Sequence, residues 1–452
     1  MLIRKLYKQL RKGSIEILVI RIFYFILLCI FVNGCSLNSN SKFWTNSKAI
    51  KKEKNINYKK VFYSEKIYTK ELNPNLRLKL DSRSTNQNKI NELYNNNKIT
   101  NLDGILKKSK RYSFSKIDDF SQYQPEISFL KDGIIFFDNK GSILKFNSDS
   151  KLVWKKNYYS KSEKKLKPIL QFANNGKFLI VTDNIAKYYM LNIENGNLIW
   201  SKNNFAPFNS QIKIYDDKFF TIDFSNTLRC FSLKDGAELW NVKTENTLIR
   251  SQKKLSMVIV SDQIYFNNSI GDISAVDIKN GELLWQLPTQ SSLIYESAFS
   301  LQTSDIVSDN KSLFFSNNKN QLFSIDLRTG TFNWKNRINS NIRSSILGNY
   351  LISLSLEGFL IITDKKSGNI IKITDVFKNF ETKKRIKIKP TGFILGVSDI
   401  YISTSNGRLI IIDFPTGAIK EILKIDSEKI SRPFAKNKSL FLIKDNAIIK
   451  LN

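Results

Sequence analysis

From about residue 109 to residue 452 the apolar and polar positions follow one repeated grammar. A short run of β-branched, aliphatic or aromatic residues comes first, then a polar turn. A second run follows and ends near an Asp. A Gly turn then leads into a run that carries a Trp. Ser312-Leu313-Phe314-Phe315-Ser316 and Gln321-Leu322-Phe323-Ser324-Ile325 form one such pair, separated by the polar stretch 317–320. Ile400-Tyr401-Ile402-Ser403 and Arg408-Leu409-Ile410-Ile411-Ile412 form another, around Ser405-Asn406-Gly407. Runs of this kind joined by Asn/Gly turns predict hairpins. Helical periodicity is absent from the region.

The repeat is sharpest at Asp326 to Trp334, which reads Asp-x-x-Thr-Gly-x-x-x-Trp. Weaker copies end at Trp154, Trp200, Trp240 and Trp285. Asp364 to Gly368 and Asp413 to Gly417 keep the Asp and the Gly, but Lys372 and Glu421 stand where the Trp would be. The turn positions are Ser150, Gly196, Gly236, Gly281, Gly330, Gly368 and Gly417, in steps of 46, 40, 45, 49, 38 and 49 residues. A period of roughly 45 predicts four-stranded propeller blades. Each Gly supplies a positive φ at its turn, each Asp accepts turn hydrogen bonds, and each Trp lies between neighbouring blades.

Seven complete units are followed by a hairpin, Ser439 to Ile443 and Ala447 to Leu451, after which the chain ends. A ring left there would expose a strand edge. Arg111 to Ile117 alternates apolar with polar residues just before the first unit and is the predicted closing strand. The predicted fold is therefore all-β: an eight-bladed β-propeller of four-stranded antiparallel blades over 109–452, closed by an N-terminal strand.

The first 35 residues have another pattern. Arg4, Lys5, Lys8, Arg11 and Lys12 precede the apolar run Ile22 to Val32, and Gly34-Cys35 follows. This is a secretory signal pattern, and the run is too short to span a bilayer. Residues 36–108 are rich in Asn, Lys and Ser and predict a flexible polar tether. Within it, Leu76 to Leu80 alternates apolar with basic residues, as a short strand, a partner-binding segment or a chance pattern would.

Composition narrows the chemistry. Lys+Arg 71 against Asp+Glu 40 gives a net charge of +31, spread without a dense tract. An exported chain has no nucleic-acid partner to match that charge. There is no His, which removes the commonest general base and metal ligand. Cys29, Cys35 and Cys230 have no zinc spacing. No catalytic residue, metal site or cofactor is predicted.

The Asp-x-x-Thr-Gly-x-x-x-Trp repeat resembles the quinoprotein-type (PQQ-like) propeller repeat. Val32-Asn33-Gly34-Cys35 resembles a bacterial lipobox, which implies lipidation at Cys35 and an outer-membrane anchor facing the periplasm. Together with eight blades and no further domain, the chain resembles the BamB lipoproteins of the outer-membrane β-barrel assembly machinery. That resemblance implies a non-enzymatic, monomeric scaffold that binds the periplasmic part of a BamA-like protein within a larger complex. Leu248, Ile249 and Arg250 are similar to the Leu/Arg loop by which the family contacts BamA; alternatively, Leu248 and Ile249 open the innermost strand of the next blade. Two other functions share the repeat: a PQQ-dependent dehydrogenase, which usually carries adjacent cysteines, and a ligand-binding propeller of the cell envelope.

Overall fold

The computed structural model describes residues 68–78, 94–97, 99–104, 106–117, 125–245, 251, 253–290 and 300–452, all within one unit, Ser64–Asn452. Thirty-two strands in it form eight four-stranded antiparallel sheets. Blades 1 to 7 span 128–156, 170–203, 213–243, 257–287, 307–336, 345–375 and 390–424, each with its strands in sequence order from inside to outside. Blade 8 takes its three inner strands from 434–451 and its outer strand, Lys108–Ser113, from the N-terminal side. Arg111 pairs with Ile449 and Ser113 with Ala447. The predicted closing strand is thus present and starts three residues earlier than expected. Phe114 and Ile117 extend the attachment through their N–H groups to Asn446 and Asp445.

The middle strands are buried on both faces rather than alternately. In blade 5, Leu313, Phe314 and Phe315 face opposite ways in turn, yet all are inaccessible. Neighbouring blades cover both faces of each sheet, so these strands read as continuous apolar runs. The outer strands differ. Their pairing slips by one residue beside the Trp, between Ser324 and Ile325 in blade 5, and the same slip recurs in each of blades 1 to 7. Such a bulge re-aims the side chain at its site, here towards the next blade. The two residues before the Trp remain exposed, as at Leu152 and Val153 or Leu283 and Leu284. Helix, not expected from periodicity, occurs as single turns between blades, at Lys161–Lys165 and Thr382–Arg385. Ser160 and Glu163 close the first of these with a capping box.

Candidate functional site

The repeat residues build the seams. The Trp285 ring lies flat against Gly330 of the next blade, and its Nε1 donates to the Leu327 carbonyl at 3.1 Å. Trp154, Trp200 and Trp334 donate likewise to Ile193, Leu233 and Lys365, and Trp240 lies on Gly281. Asp326 Oδ1 accepts from the N–H of Arg328 and of Thr329 at 3.0 and 2.9 Å. Those bonds, the Thr329 N–H foremost, hold its carboxyl below the usual range. Asp277, Asp364 and Asp413 accept in the same way, so the carboxylates of these turns are turn acceptors, as the repeat implied. Cys230 is buried, and burial pushes its thiol up to about 12, so it packs as a small apolar group.

At two of the three seams without a Trp, a lysine stands in its place and donates to a carbonyl in the turn of the next blade. At the closing seam Lys110 Nζ donates to the Ser148 carbonyl at 3.1 Å, and Ser150 replaces Gly with a φ of 63°. At the seam between blades 6 and 7, Lys372 Nζ donates to the carbonyls of Thr416, Leu76 and Pro74 at 2.7, 2.6 and 3.2 Å. Two of these carbonyls belong to the segment expected as a tether. Leu72 exchanges both backbone hydrogen bonds with Ile373, Leu78 donates to the Pro415 carbonyl, and the Leu78 side chain joins the core between blades 6 and 7. The described stretches of 36–108 are thus docked on the propeller, and 76–78 is not a strand. Their attachment relies on backbone groups, a few polar side chains and isolated buried apolar ones, Leu78, Leu102 and Leu106 among them, which a low apolar content does not reveal. Lys372→Met is expected to free this strap: limited proteolysis should cut at 68–78 about tenfold faster while the blades stay resistant, an opening that responds to loss of about 1.4 kcal/mol. Unchanged cutting would mean that Lys372 does not hold it.

A second stretch blocks the axis. Asn96 donates from Nδ2 to the carbonyls of Met257 and Ile306, at 3.1 and 2.9 Å, and its Oδ1 accepts from Lys213 Nζ at 2.6 Å. Asn97 exchanges hydrogen bonds with the backbone of Ile346. These partners lie on the inner strands of blades 3 to 6, so Tyr94 to Asn97 plugs the channel.

Beside the plug is a ring made of one residue per blade, each the same distance before its blade's second strand. Glu126, Asp305, Arg343 and Arg432 supply its charges. Gln171, Gln211, Ser256 and Gly392 complete it. Lys254, from blade 4, reaches across the bore to Glu126 at 2.8 Å and to Gln171 at 3.4 Å. Arg432, from the opposite blade 8, meets the same Glu126 oxygen at 2.9 Å. Against the cost of burial, Lys254, Arg432 and Arg343 hold Glu126 far below the usual carboxylate range. Gly392 matters for space, since a Cβ there would strike the Arg432 side chain. Sequence reading missed this ring because its members differ in type and have no common neighbours. Counting back from the second strand of each blade finds them.

Leu248, Ile249 and Arg250, as well as Cys35, lie outside the described residues. The innermost strand of blade 4 is Met257–Val260. Among the described residues no three acidic or Cys side chains converge as a metal site, and no helix is long and apolar enough to cross a membrane.

Known proteins share this architecture. The BamB structure of Moraxella catarrhalis superposes with a TM-score of 0.63 at 16% identity, covering 77% of this chain and 100% of that one. A computationally designed protein, Ika8, gives 0.57 at 10% identity, covering 75% and 99%. By sequence, an uncharacterised Rickettsia prowazekii protein, RP232, is 22% identical over 67% of this chain and 72% of its own. The outer membrane protein assembly factor BamB of Shewanella oneidensis is 23% identical over 36% of this chain and 37% of its own. The PQQ_2 family, described as outer membrane protein assembly factor BamB, matches residues 139–374, just over half of the chain. With its PQQ-like repeat and closed eight-bladed ring, this chain belongs to the PQQ_2 (BamB) family.

Proposed function

We propose that the chain is a non-enzymatic lipoprotein scaffold of the outer-membrane β-barrel assembly machinery. In this reading Cys35 carries the lipid, the propeller faces the periplasm as a monomer within a larger complex, and the connection bearing Leu248, Ile249 and Arg250 contacts a BamA-like protein. The observation that carries it is family membership: the family's description is an outer-membrane assembly factor, and the match spans several blades.

The test is capture from solubilised envelope with the full chain, read by mass spectrometry. Recovery of a barrel-assembly protein, lost in Arg250→Glu, is the expected result. Recovery of a stoichiometric quinone instead, or equal capture by Arg250→Glu, would count against it. In the same cells Cys35→Ala is expected to abolish incorporation of labelled fatty acid and release the protein from the membrane. Label still entering that variant would overturn the lipidation site.

A further inference from the structure

Two connections between blades carry the same signature. Between blades 1 and 2 the chain reads Lys164-Lys165-Leu166-Lys167, and between blades 6 and 7 it reads Lys384-Arg385-Ile386-Lys387. In both, a single helical turn ends with the aliphatic residue as its C-cap. Leu166 and Ile386 are 62% and 67% exposed although apolar, and Phe205, between blades 2 and 3, is fully exposed. Positive charge surrounds the two aliphatic tips. Residues 160–167 hold four Lys against one Glu, and 381–389 hold four Lys and an Arg against one Glu.

The turns that present these tips are fixed to the blades. Ser160 and Glu163 cap the first, and Glu163 meets Lys187 of blade 2 at 2.7 Å. Arg385 of the second pairs with Asp375 of blade 6, and Glu381 pairs with Lys384 at 3.1 Å. The acids of both turns are thus engaged, while Lys161, Lys165, Lys383 and Lys387 stand exposed. Each of the three connections runs from an outer strand to the next inner strand. In a four-stranded antiparallel blade every such connection leaves the same face of the ring. Leu166, Phe205 and Ile386 therefore rise from one face, at three different seams. Asp426 and Glu428, in the connection between blades 7 and 8, weaken the positive field there, but Asp426 is paired with Lys444.

We propose that this face docks on an anionic lipid surface, with Leu166, Phe205 and Ile386 entering the headgroup boundary and the lysines beside them meeting phosphates. Separate tips on different seams do not make the contiguous apolar core on which a protein interface is built. A bilayer accepts apolar side chains one at a time and offers negative charge over a whole plane, which three points around a ring meet together. Lysine suits the edge of that plane, since its stem lies along apolar surface while the ammonium stays with water and phosphate. The three seams lie on the half of the ring that contains blade 8. A ring leaning on that half lifts the seam between blades 3 and 4, which carries Leu248 to Arg250, away from the lipid.

The test is co-sedimentation of the full chain with vesicles of phosphatidylcholine alone or of phosphatidylcholine mixed with phosphatidylglycerol. Every protein carries Cys35→Ala, so that no acyl group at that position contributes. Binding to the mixed vesicles is expected to be about tenfold stronger or more, and to weaken as salt is added. The combination Lys161→Gln, Lys165→Gln, Lys383→Gln and Lys387→Gln should lose at least about tenfold, since each lysine at such a surface is worth about fivefold. Leu166→Ser with Ile386→Ser should lose about tenfold, because two tips no longer leave water. The matched control removes four charges from turns on the opposite face: Lys234→Gln, Lys279→Gln, Arg328→Gln and Lys366→Gln. It should lose less than about threefold, since charges held a ring's thickness away are screened. These positions are all exposed, so the variants keep the fold. Equal binding to the two kinds of vesicle, equal loss in the two charge variants, or indifference to Leu166→Ser with Ile386→Ser overturns the proposal.

Discussion

Removing residues 1–117 is expected to cost on the order of 5 kcal/mol or more, much of the stability a domain possesses. The deleted stretch includes Lys108–Ser113, the outer strand of blade 8, whose loss leaves one edge of Ala447–Leu451 unpaired. It also removes Tyr112, Phe114 and Ile117 from the core. The Tyr112 ring meets Phe146 edge-on at 5.7 Å, and Phe114 sits 4.8 Å from Phe136. Burial of each such side chain contributes about 1.5–3 kcal/mol, and the opened ring also exposes the faces of blades 1 and 8. Removing only residues 1–105 takes away the strap and the plug, with the buried Leu78 and Leu102 side chains, but leaves the closing strand; it costs less than the longer truncation, by about 1.5–3 kcal/mol for each of Tyr112, Phe114 and Ile117 that stays buried. Thermal unfolding of the two truncations beside the full chain distinguishes them. If both melt together, the strand does not close the ring.

Gly330→Ala carries the next largest expected effect, about 3 kcal/mol. Gly330 has a φ of 68°, and an L residue there costs about 1–2 kcal/mol. Its Cβ would also stand 2.5 Å from the Trp285 ring, so the indole must move and loosen its bond to Leu327. That adds on the order of 1 kcal/mol. The closing seam shows how the two parts separate: Ser150 takes the same left-handed backbone where Lys110, not an indole, lies opposite. Two further variants complete a cycle. Trp285→Ala alone loses the ring's burial, and Trp285→Ala with Gly330→Ala should cost about 1 kcal/mol less than the sum. Strict additivity in denaturant unfolding would mean that ring and glycine are not in steric contact.

That pairing also explains how much was legible in the sequence. Trp and Gly recur because each seam needs both at fixed places, and the Asp before each Gly has a turn to satisfy. Blade count, turn chemistry and the closing strand therefore stood in the residue pattern. Lys372 could be seen as a missing Trp, yet nothing local revealed that Pro74 and Leu76 would come to its ammonium from across the chain. Asn96 was equally silent: in a run of asparagines, only the distant Met257 and Ile306 carbonyls and the Lys213 ammonium distinguish it. The channel ring was hidden for another reason. Its residues sit on or just before first strands, where the shared constraint is a level along the axis and not a residue type.

The closing strand has a kinetic consequence. Lys108 pairs with Leu451, so the ring cannot shut until the last residues of the chain have been made. Contacts of such separation form late, after the loop between them has been ordered by the blades. Until then every molecule carries one free strand and one free edge that match each other. Two half-finished chains can satisfy both by exchange, each lending its Lys108–Ser113 to the other's last hairpin, with no new contact and little cost in free energy. Crowding of newly made chains should therefore yield reciprocally closed dimers, separable from monomers by size and slow to revert, since reversal requires opening two rings.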